Sequence, residues 1–279
     1  MSLEQARQLG VGSVRRFHLR LLGATLAVMA ATAFAATPGR ATDWTFGLGA
    51  GYGPDYEGSD DYHAVPLWNI KAAGFAGPTT YAQLFATQFT SNLINDKNWR
   101  LGLFGQFQPD YDDVDNNRVQ HMDGVDPTLM VGVMGGYDWI LGPAHVLGVE
   151  IQASADVLHG NGYIVTFGPN YTVPFGNNKW LLKTGLNTTY GSKDYMQNYF
   201  SVSNKDVQSA GFSKSYTADD GFKDVAANLS LTYLIDKRWS LTGVAKYERM
   251  VDQAADSPVV DDEGNKNQWF GGLLVNYSF

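Results

Sequence analysis

The sequence contains no cysteine, which removes disulfide frameworks, thiolate metal sites and cysteine nucleophiles together. Positive charge is scarce: 20 Lys and Arg stand against 28 Asp and Glu, a net charge of −8. The basic face that nucleic-acid phosphates require is therefore missing, and nucleic acid drops out as a partner. Long apolar runs are missing too. The one extended apolar stretch, Leu21–Phe34, has 14 residues, short of the ~20 that a membrane helix needs. With a mean hydropathy of −0.22 and 17% charged residues, a bundle of apolar helices is excluded. A membrane barrel is not, because only its alternate residues face lipid. What the sequence has in quantity is glycine (31 residues) and aromatics (15 Tyr, 15 Phe, 7 Trp).

Arg15, Arg16 and Arg20 precede the apolar stretch, and Ala33-Phe34-Ala35 closes it with the small-x-small pattern that signal peptidase accepts. Residues 1–35 read as a cleaved export signal, with Ala36 as the mature start and residues 36–279 as a single domain. The stretch has no polar face, which argues against a buried amphipathic helix. No Ser or Thr directly precedes Arg15-Arg16, so the general export route is expected rather than the twin-arginine one. Without residues 1–35 the chain keeps 16 basic and 27 acidic side chains.

Beyond that segment, period two dominates. Trp44, Phe46, Leu48, Ala50 and Tyr52 alternate with Thr45, Gly47, Gly49 and Gly51; Leu147, Val149, Ile151 and Ala153 alternate with Gly148, Glu150 and Gln152. Leu229, Leu231 and Tyr233 alternate with Asn228, Ser230 and Thr232 in the same way. Eleven strands are expected, over residues 44–53, 63–73, 80–90, 98–109, 126–140, 145–157, 162–175, 179–191, 221–235, 238–251 and 267–279, with a weaker one at 198–203. Their length matches the 9–11 residues of a tilted membrane strand. Aromatics sit at the ends of the apolar faces, as in Trp99 and Phe107, Trp180 and Tyr190, and Trp239 and Tyr247, which suits girdles at two membrane boundaries. An open sheet edge in lipid leaves amides unpaired at several kcal/mol each, so the sheet must close. The expected fold is an all-β, closed antiparallel transmembrane barrel of twelve strands, with ten as the alternative. A soluble sandwich would also alternate, but would not need paired aromatic belts. Short links such as 235–238 and 175–178 read as periplasmic turns, and the polar links 53–62, 109–125, 204–220 and 252–266 as outer loops. Strict alternation of the two classes fails near residues 74–97.

Several motifs invite chemistry. The glycines of the segment 47–53 fall at every second position, which never gives G-x-G-x-x-G, and no helix follows; small residues facing a crowded interior explain them better. Carboxylates cluster at 54–63 and 109–126. Calcium favours such oxygens, but neither spacing is an EF-hand, and solvated outer-loop acids, able to meet the divalent cations that bridge lipopolysaccharide, are the plainer reading. His63, His121, His145 and His159 fall in loops or at strand ends, with no local signature pairing one to a nucleophile. No cofactor or metal is expected. Charges inside strands carry more information: Arg100, Glu150, Lys183, Lys246 and Glu248 fall on the polar phase. They are expected to face the lumen, since Lys or Arg facing lipid at mid-membrane costs about 2–4 kcal/mol. At the end of the chain Leu273, Val275, Tyr277 and Phe279 share the apolar phase, a pattern expected to be read by the barrel insertion machinery.

Three segments resemble one family. They are GLGAGYGPDYEGSDDYHAVPLWNIKA (47–72), Tyr199-Phe200-Ser201-Val202-Ser203 followed by Asp219–Val225, and KYERMVDQAADSPVV (246–260) leading to GGLLVNYSF. Together they resemble the MipA/OmpV family of outer-membrane proteins, in the same order and over essentially all of the chain after its leader. Ser201 stands where the family leads one to expect Gly, and the loop 111–123 is unusually acidic. The resemblance implies a non-enzymatic scaffold that brings a murein-degrading lytic transglycosylase together with a murein-synthesising penicillin-binding protein. Family members are also linked to osmotic stress, antibiotic uptake and adhesion, and no catalytic residues come with it. The expected partners are outer-membrane lipid and lipopolysaccharide, the insertion machinery and murein enzymes. The second reading is a narrow diffusion channel for small solutes, and a barrel hydrolase is the third.

Overall fold

The structure is a computed structural model that describes residues 42–122 and 125–279. The expected leader, residues 1–35, and the mature start at Ala36 lie outside the described residues. Twelve antiparallel strands close on themselves, each paired with its neighbours in sequence and β1 with β12. The strands are β1 (Asp43–Pro54), β2 (Tyr62–Ala73), β3 (Tyr81–Phe85), β4 (Gln88–Asn92), β5 (Trp99–Gln108), β6 (Thr128–Gly142), β7 (His145–Asp156), β8 (Tyr163–Phe175), β9 (Trp180–Gly191), β10 (Gly221–Leu234), β11 (Trp239–Met250) and β12 (Asn267–Ser278).

Period two sets the wall. Register pairs Leu48 with Val275 and Ala50 with Leu273 on one face, and Gly49 with Leu274 on the other. Leu48 is 75% exposed and Leu273 62%, whereas Leu274 is 1%. The apolar phase therefore looks outward into lipid and the small or polar phase looks into the lumen. Short turns and the end of β12 share one side, which is periplasmic in bacterial barrels. Its aromatic girdle includes Trp99 on Tyr137 (4.8 Å), Trp239 on Tyr277 (4.8 Å) and Trp180 on Tyr233 (4.6 Å). The outer girdle has Tyr247 on Trp269 (4.4 Å) and Tyr52 on Tyr62 (5.7 Å).

Twelve strands arise differently from the expectation. Residues 80–90 are not one strand. They turn at Ala86-Thr87, with Ala86 at φ +47°, and form the two five-residue strands β3 and β4, which restores the alternation of turns and loops that failed near 74–97. After Thr90, β4 leaves the ladder with β5, and side chains take over. Ser91 Oγ accepts from the Leu103 N–H (2.8 Å) and Asn92 Oδ1 from the Leu101 N–H (3.0 Å). An unpaired amide in lipid is costly enough to require such substitutes.

The weak strand expected at 198–203 is absent. Residues Lys193–Phe200 form a helix, and only Val202 makes a bridge, with Tyr216. The reason is local: Tyr195, Met196, Tyr199 and Phe200 are buried and recur at helical spacing, with Lys193, Asp194, Gln197 and Asn198 between them. Among the described residues the outer loops hold five short helices, α1 (Asn117–Gln120), α2 (Lys193–Phe200), α3 (Asn204–Ser209), α4 (Asp252–Asp256) and α5 (Pro258–Asp261). Their apolar faces meet in the main buried core, which fills the outer mouth of the barrel. Tyr56, Tyr111, Tyr199, Phe200, Phe212 and Val259 from four loops pack there with the inward wall residues Met130 and Ile164.

Candidate functional site

The interior is a polar lumen of about 890 Å³, closed above by the loop core. Two charged groups mark its ends.

The outer group forms the roof of the lumen. A β-bulge between Phe222 and Asp224 breaks the register of β10 with β9, so the consecutive residues Lys223 and Asp224 are both buried. Lys223 Nζ reaches Glu57 Oε1 at 2.9 Å, Asp224 Oδ2 at 3.0 Å and Glu248 Oε1 at 3.8 Å. Lys246 pairs with Glu248. A buried cation is tolerated only when surrounded in this way. Glu57 belongs to the first outer loop, so the pair with Lys223 ties that loop to the wall. Gln108 Nε2 donates to the Tyr195 hydroxyl (2.9 Å), and the hydroxyls of Thr128 and Tyr199 meet at 2.8 Å, which fixes α2 to β5 and β6. Burial, with the charge of Glu57 adding to it, pushes the Tyr195 and Tyr111 phenols well above their ordinary range. They remain neutral at physiological pH.

The inner group lies near the periplasmic turns. Arg100 pairs with Glu150 and sets its Nε 3.1 Å from Asp138 Oδ2. Gln152 Nε2 donates to Glu150 Oε1 at 2.8 Å. Gly136 makes room for this arrangement: a Cβ there would sit 2.9 Å from Arg100 Nη2 and 2.6 Å from the Val149 carbonyl. Lys71, with its Nζ 5.3 Å from the centre of the Tyr81 ring, and Lys183 line the same space.

The five strand charges singled out in the sequence thus fall into separate places. Arg100 and Glu150 meet in the inner group, Lys246 and Glu248 in the roof, and Lys183 makes no ion pair among the described residues. Sequence reasoning missed Lys71 and Asp138, although both lie on the polar phase of their strands and that signal was available. It also missed Lys223 and Asp224, which the bulge rearranges, and Glu57, which only the folded loop brings to the wall. Leu273, Val275 and Phe279 are 62%, 46% and 64% exposed, and Tyr277 pairs with Phe46 on the same outward face. Of the histidines, His63 lies 3.1 Å from Asp55, His145 2.8 Å from the Tyr171 hydroxyl, and His121 and His159 contact backbone carbonyls.

The family model for the MltA-interacting protein MipA matches residues 46–279. The Escherichia coli protein named MltA-interacting protein is 24% identical over 271 residues, covering 95% of this chain and 98% of its own. The outer membrane protein OmpV of Vibrio cholerae is 31% identical over 148 residues, 47% of this chain and 54% of its own. Among solved structures, an outer membrane channel of Pseudomonas putida covers 88% of this chain and 97% of its own, with 11% identity and a TM-score of 0.44. Given a match that runs from the first strand to the last residue, and relatives named as outer-membrane proteins, the chain belongs to the MipA family and to the Gram-negative outer membrane.

Proposed function

We propose that the barrel is a non-enzymatic scaffold for murein-remodelling enzymes, and that it works through its periplasmic rim. The observation that carries this reading is the roof. Four outer loops bury their apolar residues across the mouth, so the surface left to meet a partner faces the cell wall. The charges of that rim support it. Lys97, Lys179, Lys237 and Arg238 are exposed at the periplasmic end of the barrel, where the exposed acids are Asp43, Asp96 and Asp236, so the rim keeps an excess of positive charge while the outer loops are acidic. A basic rim suits an acidic patch on a partner, and such complementarity acts chiefly on encounter rate and specificity. The test is capture of a lytic transglycosylase and a penicillin-binding protein on the immobilised barrel. Both are retained by the native chain, and retention falls when Lys97, Lys179, Lys237 and Arg238 are all changed to Glu. Equal retention by that variant overturns the rim, and no retention by the native chain overturns the scaffold.

The polar lumen favours a second reading, a narrow channel whose roof opens. Single-channel steps from the intact chain in a planar bilayer support the channel over the scaffold, and a silent bilayer supports the reverse.

A further inference from the structure

We propose that the periplasm-facing part of the lumen binds a small oxyanion, a carboxylate or a phosphate, between Lys71 and Lys183. The wall register turns both side chains inward: Lys71 stands opposite Thr45 and Gln83, and Lys183 opposite Thr172 and Ser230. Both line the one cavity of about 890 Å³.

Every other cation of the lumen has a carboxylate. Arg100 has Asp138 and Glu150, Lys246 has Glu248, and Lys223 has Glu57, Asp224 and Glu248. Lys71 and Lys183 have none at ion-pair distance among the described residues, and they lie within electrostatic reach of one another, with Asp138 within reach of Lys183. Two like charges facing one enclosed space, with low-dielectric walls around them, raise the local potential for an anion. Arg100 adds its charge from behind the cavity wall, where Asp138 and Glu150 hold its guanidinium. Lys71, Arg100 and Lys183 together outnumber Asp138 and Glu150. The neutral wall near them, with Asn69, Gln83, Asn170 and Thr184, supplies amide and hydroxyl groups for the uncharged part of a hydrophilic ligand. Because the roof closes the outer end, the ligand enters from the periplasm.

The experiment is calorimetric titration of the full chain in a neutral detergent with inorganic phosphate, with citrate and with glucose, at low and at high salt. At least one of the two anions binds at low salt, glucose does not, and high salt weakens the binding. Preference for phosphate or for citrate assigns the ligand chemistry. The double variant Lys71→Gln/Lys183→Gln binds about tenfold more weakly or worse, a change that corresponds to one lost charge contact. Lys71→Arg/Lys183→Arg retains binding. Folding of each variant is read from the heat-dependent gel shift of the barrel. Should the double glutamine variant fail to fold, the single variants Lys71→Gln and Lys183→Gln decide, each expected to weaken binding. The proposal is overturned when neither anion binds better than glucose, or when the folded glutamine variants bind as the native chain does.

Discussion

Two periplasmic turns repeat one device at single residues. In Asp96-Lys97-Asn98-Trp99 and Asp236-Lys237-Arg238-Trp239, the Asp carboxylate accepts the two backbone N–H groups that open the next strand. The distances are 2.8 and 2.8 Å for Asp96 and 2.7 and 2.8 Å for Asp236. Asp side chains hold turns by such bonds. The same bonds favour the charged carboxylate and lower both pKa values below 3.8. With the folded pKa depressed, the stabilisation is present in full above the unfolded value and disappears as pH falls through the folded one. Hydrogen exchange at the Trp99 and Trp239 amides is therefore expected to be slow at neutral pH and to lose its protection, relative to the intrinsic rate, only on descent below about pH 4. In Asp236→Ala the Trp239 protection is lower at every pH, and its acid step is gone; an unchanged acid step in that variant refutes the assignment. Gly136 poses a different single-residue constraint. Gly136→Val meets the Val149 carbonyl and Arg100 Nη2, and displaces the guanidinium from Asp138 and Glu150. A cost of about 1–3 kcal/mol, the usual range for overpacking, is expected in urea unfolding from lipid vesicles.

At the scale of elements, the β10 bulge has the largest energetic consequence. It buries Lys223 among Glu57, Asp224 and Glu248, so removing the one cation leaves three acids facing each other with only Lys246 nearby. Lys223→Met is expected to destabilise the barrel by about 3–5 kcal/mol, the loss typical of breaking a buried pair from one side. Glu57→Gln costs less, because Lys223 keeps two carboxylates. Urea midpoints of the two variants, measured together, check the order. The bulge also shows where the sequence was legible and where it was not. Alternation depends on each residue's immediate neighbours, so ten strands, the inward phase of Arg100, Glu150, Lys183, Lys246 and Glu248, and the outward row from Leu273 to Phe279 could all be read. A bulge inserts one residue against that rhythm, and nothing in Phe222-Lys223-Asp224-Val225 announces it. The β3–β4 hairpin was hidden for a similar reason: Ala86-Thr87 carries neither Gly nor Asn, the residues that usually mark a left-handed turn position. Helix α2 was legible in principle, since Tyr195, Met196, Tyr199 and Phe200 already carry a helical spacing that a search for period two passes over.

For the molecule as a whole, the barrel wall and its roof are separable. The wall is held by its ladders, and β9 meets β10 directly through Gly191 and Gly221 at the outer rim. Ser192, the first residue of the loop between them, donates its N–H to the Tyr163 carbonyl at 2.9 Å, and the residues beyond it supply Tyr195, Met196, Tyr199, Phe200, Val202 and Phe212 to the roof. Replacing residues 193–218 by a short Gly-Ser linker removes these side chains and leaves the strand register intact. The shortened chain is thus expected to insert and to show the heat-dependent gel shift of a closed barrel, while a planar bilayer that is silent with the intact chain acquires steady conductance. The lumen charges then set which ions pass. Glu57, Asp224 and Glu248 balance Lys223 and Lys246 to within one charge at the outer end, whereas Lys71 and Lys183 have no carboxylate at ion-pair distance among the described residues at the inner end. The selectivity of the opened barrel is expected to shift from chloride towards potassium when Lys71 and Lys183 are changed to Gln in the same shortened chain. Conductance from the intact chain, equal in size to that of the shortened one, would show that the loops do not close the mouth at all.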